Sequence, residues 1–288
     1  MIKKYSFLLA FLIVSSSTIF SQKLENSTLW EITGNGLDKP SYLFGTIHIT
    51  CDATLSKEVK EALNETSQVV LEIDMDDPTM QSKMMSGMFM KDNKTLKDFV
   101  TDTEYTMIDS LFIKTMGMPV KMMERTKPFF LSSVFVTKLL DCPMQSFETE
   151  LMKVAKEQNE DVKGLETIED QLQVFDEIPY EVQIKELVRT AKDNLVKDKA
   201  NMKVLLNLYN EQDITRLLEM MNDDEAGALS DFNDILLDNR NKNWIPRIGE
   251  YAKEKPTFFG VGAGHLAGKN GVILLLRKAG YTVTAIQQ

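Results

Sequence analysis

The sequence predicts an α+β fold with an α/β-like core: a central mixed sheet built from the N- and C-terminal segments, with a large helical insertion over about residues 78–243. Three observations predict it. Short apolar runs bounded by turn residues lie near both ends of the chain. The long stretch between them carries helical spacing and capping signals. The C-terminal run reads strand, helix, strand, with Gly280 closing the helix.

The elements follow in order. "LWEIT", Leu29 to Thr33, alternates as a strand does, and "NGLDKP", Asn35 to Pro40, is turn chemistry. "SYLFGTIHI", Ser41 to Ile49, completes a hairpin. "SKEVKEALNET", Ser56 to Thr66, has helical spacing, and "QVVLEIDM", Gln68 to Met75, reads as a buried strand. From Pro78 to about Asn243 the pattern is helical, with capping boxes at Thr101-x-x-Glu104 and Thr167-x-x-Asp170. One short strand, "VKGLE" from Val162 to Glu166, interrupts it. "TFFGVG" is then a strand, "HLAGKNGVILLLRKAG" from His265 to Gly280 a single helix, and "YTVTAI" the last strand. With no repeat of fixed period and no low-complexity linker, residues 22–288 read as a single domain, its insertion a lid or a substrate-binding subdomain.

Residues 1–21 have the layout of a signal peptide: Lys3 and Lys4, an apolar run from Phe7 to Val14, then small polar residues up to a cut after Ser21. The run is too short for a comfortable transmembrane helix. The expectation is an exported chain, periplasmic or extracellular, with no stable membrane insertion after cleavage. Its net charge of -10 becomes about -12 once the two lysines leave. Such a balance argues against nucleic acid and anionic membranes as partners, since both require basic patches. The two cysteines, Cys51 and Cys142, form one disulfide or remain two buried thiols; a metal-binding His48-x-x-Cys51 pair lacks a second pair to complete four ligands. In the methionine-rich piece from Thr79 to Asn93, Met80, Met84 and Met88 share a helical face with Met85 beside them. That face serves as core, as adaptable binding surface or as a soft-metal site.

The chain has two histidines, and both follow a glycine by three positions: Gly45-Thr46-Ile47-His48 and Gly262-Ala263-Gly264-His265. His48 falls near the end of one strand, His265 just after another at the start of a helix, and Glu72 toward the end of "VVLEIDM". If those strands are neighbours, the three side chains meet at one sheet edge, where open α/β sheets place ligands. Gly45 and Gly262 leave room for close approach. Two histidines and a carboxylate suit a divalent metal with open positions, which lowers the pKa of bound water and polarises a carbonyl. A metal-free version has one histidine take a proton from water while Glu72 orients it.

The segments "LWEIT", "YLFGTIHI", "VVLEID", "KGLETIEDQ", "LLDNRNKNW" and "FFGVGAGHLAGKNGVILLLRKAGYTVTAI" resemble the TraB/PrgY/GumN family, which includes the Tiki-type metalloproteases. The resemblance covers about Thr28 to Ile286. It implies that His48 and His265 are the two motif histidines, that Glu72 is the acidic residue after the first motif, and that Arg240 and Asn241 are the family's "RN" pair. Arg240 would then hold a substrate carboxylate or a developing oxyanion, or else form a salt bridge to the insertion. In "QSFETELMKVA" the chain has Ser146 where the family often has glycine, and Glu148 where it has an acid. Glu166 is a further family position, read as structural or supporting. The resemblance implies an exported metal-dependent hydrolase, a peptidase, with His48, His265 and Glu72 as ligands of Mn, Co or Zn. Glu72 would be a third ligand or the general base, and Glu148, Asn241, Gly45 and Gly262 would support them. Two alternatives stand beside it: a protein that sequesters a peptide or small ligand without turnover, and a metal-free, esterase-like hydrolase.

Overall fold

A computed structural model describes residues 24–223 and 227–288, so the expected signal peptide lies outside the described residues. Six strands form one mixed sheet: β1 (Leu29–Gly34), β2 (Ser41–Thr46), β3 (Gln68–Ile73), β4 (Asp161–Glu166), β5 (Phe258–Gly262) and β6 (Tyr281–Ile286), in the order β4-β3-β5-β2-β1-β6. Four adjacent strands, β4 at one edge, then β3, β5 and β2, run parallel. Antiparallel β1 joins β2 through the predicted hairpin and carries β6 on its far side. Gly34, Asn35 and Gly36 all have positive φ in the turn, which explains its glycine and asparagine content.

The inner parallel strands β2, β3 and β5 are largely apolar and buried because both faces are covered. Trp30, Leu43, Val70, Phe259 and Val261 point to one face and Leu29, Phe44, Val69, Leu71 and Phe258 to the other, the period of two expected of strands. Helices α1 (Lys57–Asn64) and α5 (Phe147–Gln158) cover the second face with Val59, Leu63 and Leu151. The first face is covered by α10 (Asn239–Glu254) and α11 (Val272–Lys278) through Trp244, Ile248, Val272 and Ile273. In chain order, the other helices are α2 (Met80–Gly87), α3 (Asp102–Met116), α4 (Pro128–Ser133), α6 (Ile168–Glu177), α7 (Tyr180–Asp193), α8 (Val196–Asn210) and α9 (Ile214–Asn222). Of these, α3, α4 and α7 enclose a core of their own, with Phe112, Leu131, Phe135 and Leu187 fully buried. Both predicted capping boxes are formed, Thr101 with Glu104 on α3 and Thr167 with Asp170 on α6.

Three expectations are corrected. The helix predicted from His265 is broken: His265 ends a 3₁₀ turn, Ala263–His265, and α11 begins only at Val272. Gly268 has φ 87°, and a Cβ at Gly271 would stand 2.1 Å from the carbonyl oxygen of Ala267, so the chain folds back on itself there as only glycine allows. The second strand stops at Thr46, which leaves His48 in the following loop. Helix α2 buries none of its residues, so the methionine face is not core.

Cys51 and Cys142 form a disulfide with Cα atoms 5.6 Å apart. Beside it, Thr50 and Gln145 exchange backbone hydrogen bonds of 3.0 and 2.8 Å. The loop after His48 is thereby tied to the segment that leads into α5. Among the described residues no helix is long and apolar enough to cross a membrane.

Candidate functional site

Four parallel strands end at the same edge, and each delivers a polar group there. Glu72 is the fifth residue of β3, Glu166 the last of β4, His48 stands two residues beyond β2, and His265 closes the turn after β5. Arg240 and Asn241 reach the same edge from the first turn of α10, directly after a π-helical turn, Asp234–Asp238. Such turns are common at functional sites. Glu148 comes from the first turn of α5.

Gly262 marks the point where the three predicted reacting groups converge. A Cβ placed on it would lie 3.2 Å from Glu72 Oε1, 3.6 Å from His265 Cδ2 and 3.7 Å from His48 Nε2. Its backbone N–H also donates to Glu72 Oε1 at 2.8 Å. Gly262 therefore opens the site as expected. At Gly45 the close approach is that of a neighbouring segment: a Cβ there would meet Leu266 Cδ1 at 2.6 Å and the Ala263 Cα at 3.2 Å, so this glycine admits the turn that carries His265.

Both histidines are held through Nδ1. His48 Nδ1 lies 2.8 Å from Glu148 Oε1, and the same carboxylate accepts from Thr46 Oγ1 at 2.7 Å and Ser146 Oγ at 2.6 Å. His265 Nδ1 lies 2.6 Å from Asn241 Oδ1, which makes Nδ1 the protonated nitrogen and leaves Nε2 as an acceptor. Asn241 is fixed in turn by donating to the carbonyl of Asn270. Trp244 packs its ring 4.4 Å from that of His265.

Arg240 has no N–H group left for a substrate. Its Nε and Nη2 donate to Glu166, Nη2 also to Glu72 Oε2 at 2.6 Å, and Nη1 to the Leu236 carbonyl and to His265 Nε2 at 3.2 Å. Its salt bridges run to two sheet carboxylates, Glu72 of β3 and Glu166 of β4, the second within the span expected as the insertion. Glu166 additionally accepts from Trp244 Nε1, and Glu72 from Gln171 Nε2.

These contacts set the charges. Burial favours the neutral form of Glu72, but the cationic groups around it and the Gly262 N–H outweigh that and bring its pKa down to about 2. His265 is uncharged at neutral pH, because burial pushes the imidazole down to about 3 against the pull of Glu72, so the cations that hold Glu72 low there are Arg240 and His48. Burial likewise raises Glu148, yet the hydrogen bonds from His48, Ser146 and Thr46 prevail and bring it to about 2. His48 moves the opposite way. Its bond to Glu148 raises it to about 9, partly offset by burial. The ring is deep in the fold but open to a cavity, with 67% of its side chain exposed, so solvent moderates the shift.

The donors suit a divalent metal by type: two imidazoles oriented through Nδ1, and a carboxylate. Their arrangement does not fit one. Glu72 is already paired with a guanidinium, which also faces His265 Nε2. Among the described residues no group of three His, Cys, Asp or Glu side chains could hold a metal ion.

The site opens on a cavity of about 450 Å³. Its lining includes the polar groups His48, Glu72, Glu148 and Arg240 and the apolar side chains Met84, Phe129, Phe130, Leu172 and Phe175. Gln171, Trp244 and Thr46 were not singled out from the sequence, although each lies inside a segment that carries the family resemblance.

The chain belongs to the TraB/PrgY/gumN family, whose model matches residues 28–285. It is similar to two Danio rerio proteins named metalloprotease TIKI1 and TIKI2, at 22% and 23% identity over 90% and 91% of this chain. A third relative, from Amphimedon queenslandica and named metalloprotease TIKI homolog, is 20% identical over 91% of the chain. The matches cover 63%, 61% and 62% of these relatives, so the chain spans about three fifths of their length. No solved structure matches the chain significantly.

Proposed function

We propose, taking membership of the TraB/PrgY/gumN family as the premise, that the chain is an exported hydrolase of peptides whose reacting centre is the group of side chains around Gly262. The observation that carries this reading is the convergence of His48, Glu72 and His265 on one point at the carboxyl edge of the parallel strands, beside a cavity large enough for part of a peptide. The relatives named metalloproteases support hydrolysis as the reaction. The disulfide supports an oxidising compartment.

The chain's own residues offer a route without metal, the reading that the pairing of Arg240 with Glu72 favours. His48 donates Nδ1–H to Glu148, which leaves Nε2 facing the cavity. In its neutral form Nε2 takes a proton from water, as a general base does, and the hydroxide formed attacks the amide carbonyl. The resulting imidazolium, stabilised by Glu148, returns the proton to the leaving amine. Glu72 and His265, fixed by Arg240 and Asn241, shape the polar wall against which the peptide lies.

The relatives' names support the metal-dependent route as well. There His48 and His265 would be the nitrogen ligands, and the ion would polarise the carbonyl and acidify water. The residues do not fit an ion as they stand, so the reaction above is derived without it. Peptide cleavage, followed by mass spectrometry after chelator treatment and again with Mn, Co or Zn restored, separates the two routes. Full activity in His48→Ala and His265→Ala would end both. Tight binding of intact peptide without turnover would instead point to a sequestering protein.

A further inference from the structure

The reacting side chains form the polar wall of the cavity, and its apolar wall is a different chemical surface. Phe129 and Phe175 stack with ring centroids 3.7 Å apart, and Phe130 meets both edge-on at 5.5 and 6.0 Å. Leu172, Met84 and Met75 complete the surface. None of the residues on this side carries a charge. The six come from α4, α6, α2 and the loop after β3, so four separate parts of the chain converge to make it apolar.

A wall of this size needs an apolar occupant. Water against it gains little, and an apolar side chain that displaces the water gains roughly 25 cal/mol per Å² buried. Phenylalanine rings also favour edge-to-face contact with another ring. The two thioethers make the wall adaptable in shape. Met84 belongs to a helix with no buried residue, so its neighbours can shift without disturbing a core. The polar wall adds a second constraint. Glu72 and Glu148 are carboxylates and the Arg240 donors are all engaged, so once His48 is replaced an anionic group of the ligand meets no free cation there.

We propose that this wall is a specificity subsite which takes a large apolar side chain, aromatic or branched, from the residue beside the peptide bond held at the Gly262 centre, and rejects an acidic one. The inference rests on the peptide reading for its ligand class, but the wall's preference can be measured without turnover. Fluorescent capped peptides differing at one residue, Phe, Leu, Ala, Lys or Asp, are titrated into the full chain carrying His48→Ala, with polarisation as the readout. Cleavage by the wild type is measured separately on the same peptides.

The expected result is binding of the Phe and Leu peptides at least tenfold tighter than Ala, the scale that a few methylenes contribute in an apolar pocket. The Asp peptide should bind most weakly. In Met84→Lys the Asp peptide should gain at least tenfold on the Phe peptide. Circular dichroism will confirm the fold, which the surface position of α2 protects. Equal binding of all five peptides overturns the subsite, even if the wild type cleaves them. Apolar preference without cleavage leaves the subsite standing and overturns the hydrolase reading instead.

Discussion

Replacing both cysteines, Cys51→Ser with Cys142→Ser, tests how the reacting pair His48 and Glu148 is held. The cross-link joins positions 91 residues apart. Loop-closure entropy for a ring of that size gives about 4.6 kcal/mol of stability at 25 °C. For a domain whose total is roughly 5–15 kcal/mol, that is a large share. With a urea dependence of about 3 kcal/mol per M, the unfolding midpoint should fall by about 1.5 M. A second effect follows from position. Cys51 is three residues after His48 and Cys142 four before Ser146, so the bond anchors both strands of the Thr50–Gln145 bridge. The folded double variant should therefore lose activity at urea concentrations well below its midpoint. A midpoint shift under 0.5 M, or activity that tracks the unfolding curve, would refute the clamp argument.

Other perturbations address the remaining contacts. In Glu148→Gln the bond that raises His48 is weakened, so its pKa falls toward the usual imidazole range. Neutral His48 is the base form, so the acid limb of kcat/KM should move down by about one pH unit or more, discounted for exposure, in a pH profile beside the wild type. Arg240→Met leaves Glu72 and Glu166 buried without their cation, which should cost about 3–5 kcal/mol. Burial then raises the Glu72 pKa in the folded state, so the loss, read as a Tm shift, should be smaller at pH 5 than at pH 8. Gly262→Ala puts a methyl 3.2 Å from Glu72 Oε1 and should cut kcat/KM at least tenfold with an unchanged circular dichroism spectrum.

The strands were legible because buried parallel strands leave short apolar runs between turn residues, as "VVLEI" and "FFGVG" do. The helix expected from His265 was not, because apolar spacing continues through "GVILLL" while the break is enforced by backbone approach at Gly271, which periodicity does not register. His48, Glu72 and His265 were found together because each lies at or just beyond the carboxyl end of a strand of the same parallel set. The engagement of Arg240 was hidden. Its two acids are 168 and 74 residues away, and only the neighbouring positions of β3 and β4 bring them to one guanidinium. Gly45 was expected to leave room for a neighbouring backbone or a substrate, and the turn at Ala263, with the Leu266 side chain, takes that room.

The strand order also governs when this fold can form. Strand β5 lies between β2 and β3, and β6 caps β1, yet both are made last. Until β5 emerges, neither β2 nor β3 has its central partner, and the hairpin keeps an open edge. A nascent chain of this design can pair β1 with β2 and β3 with β4, but the two halves stay unjoined until β5 is made.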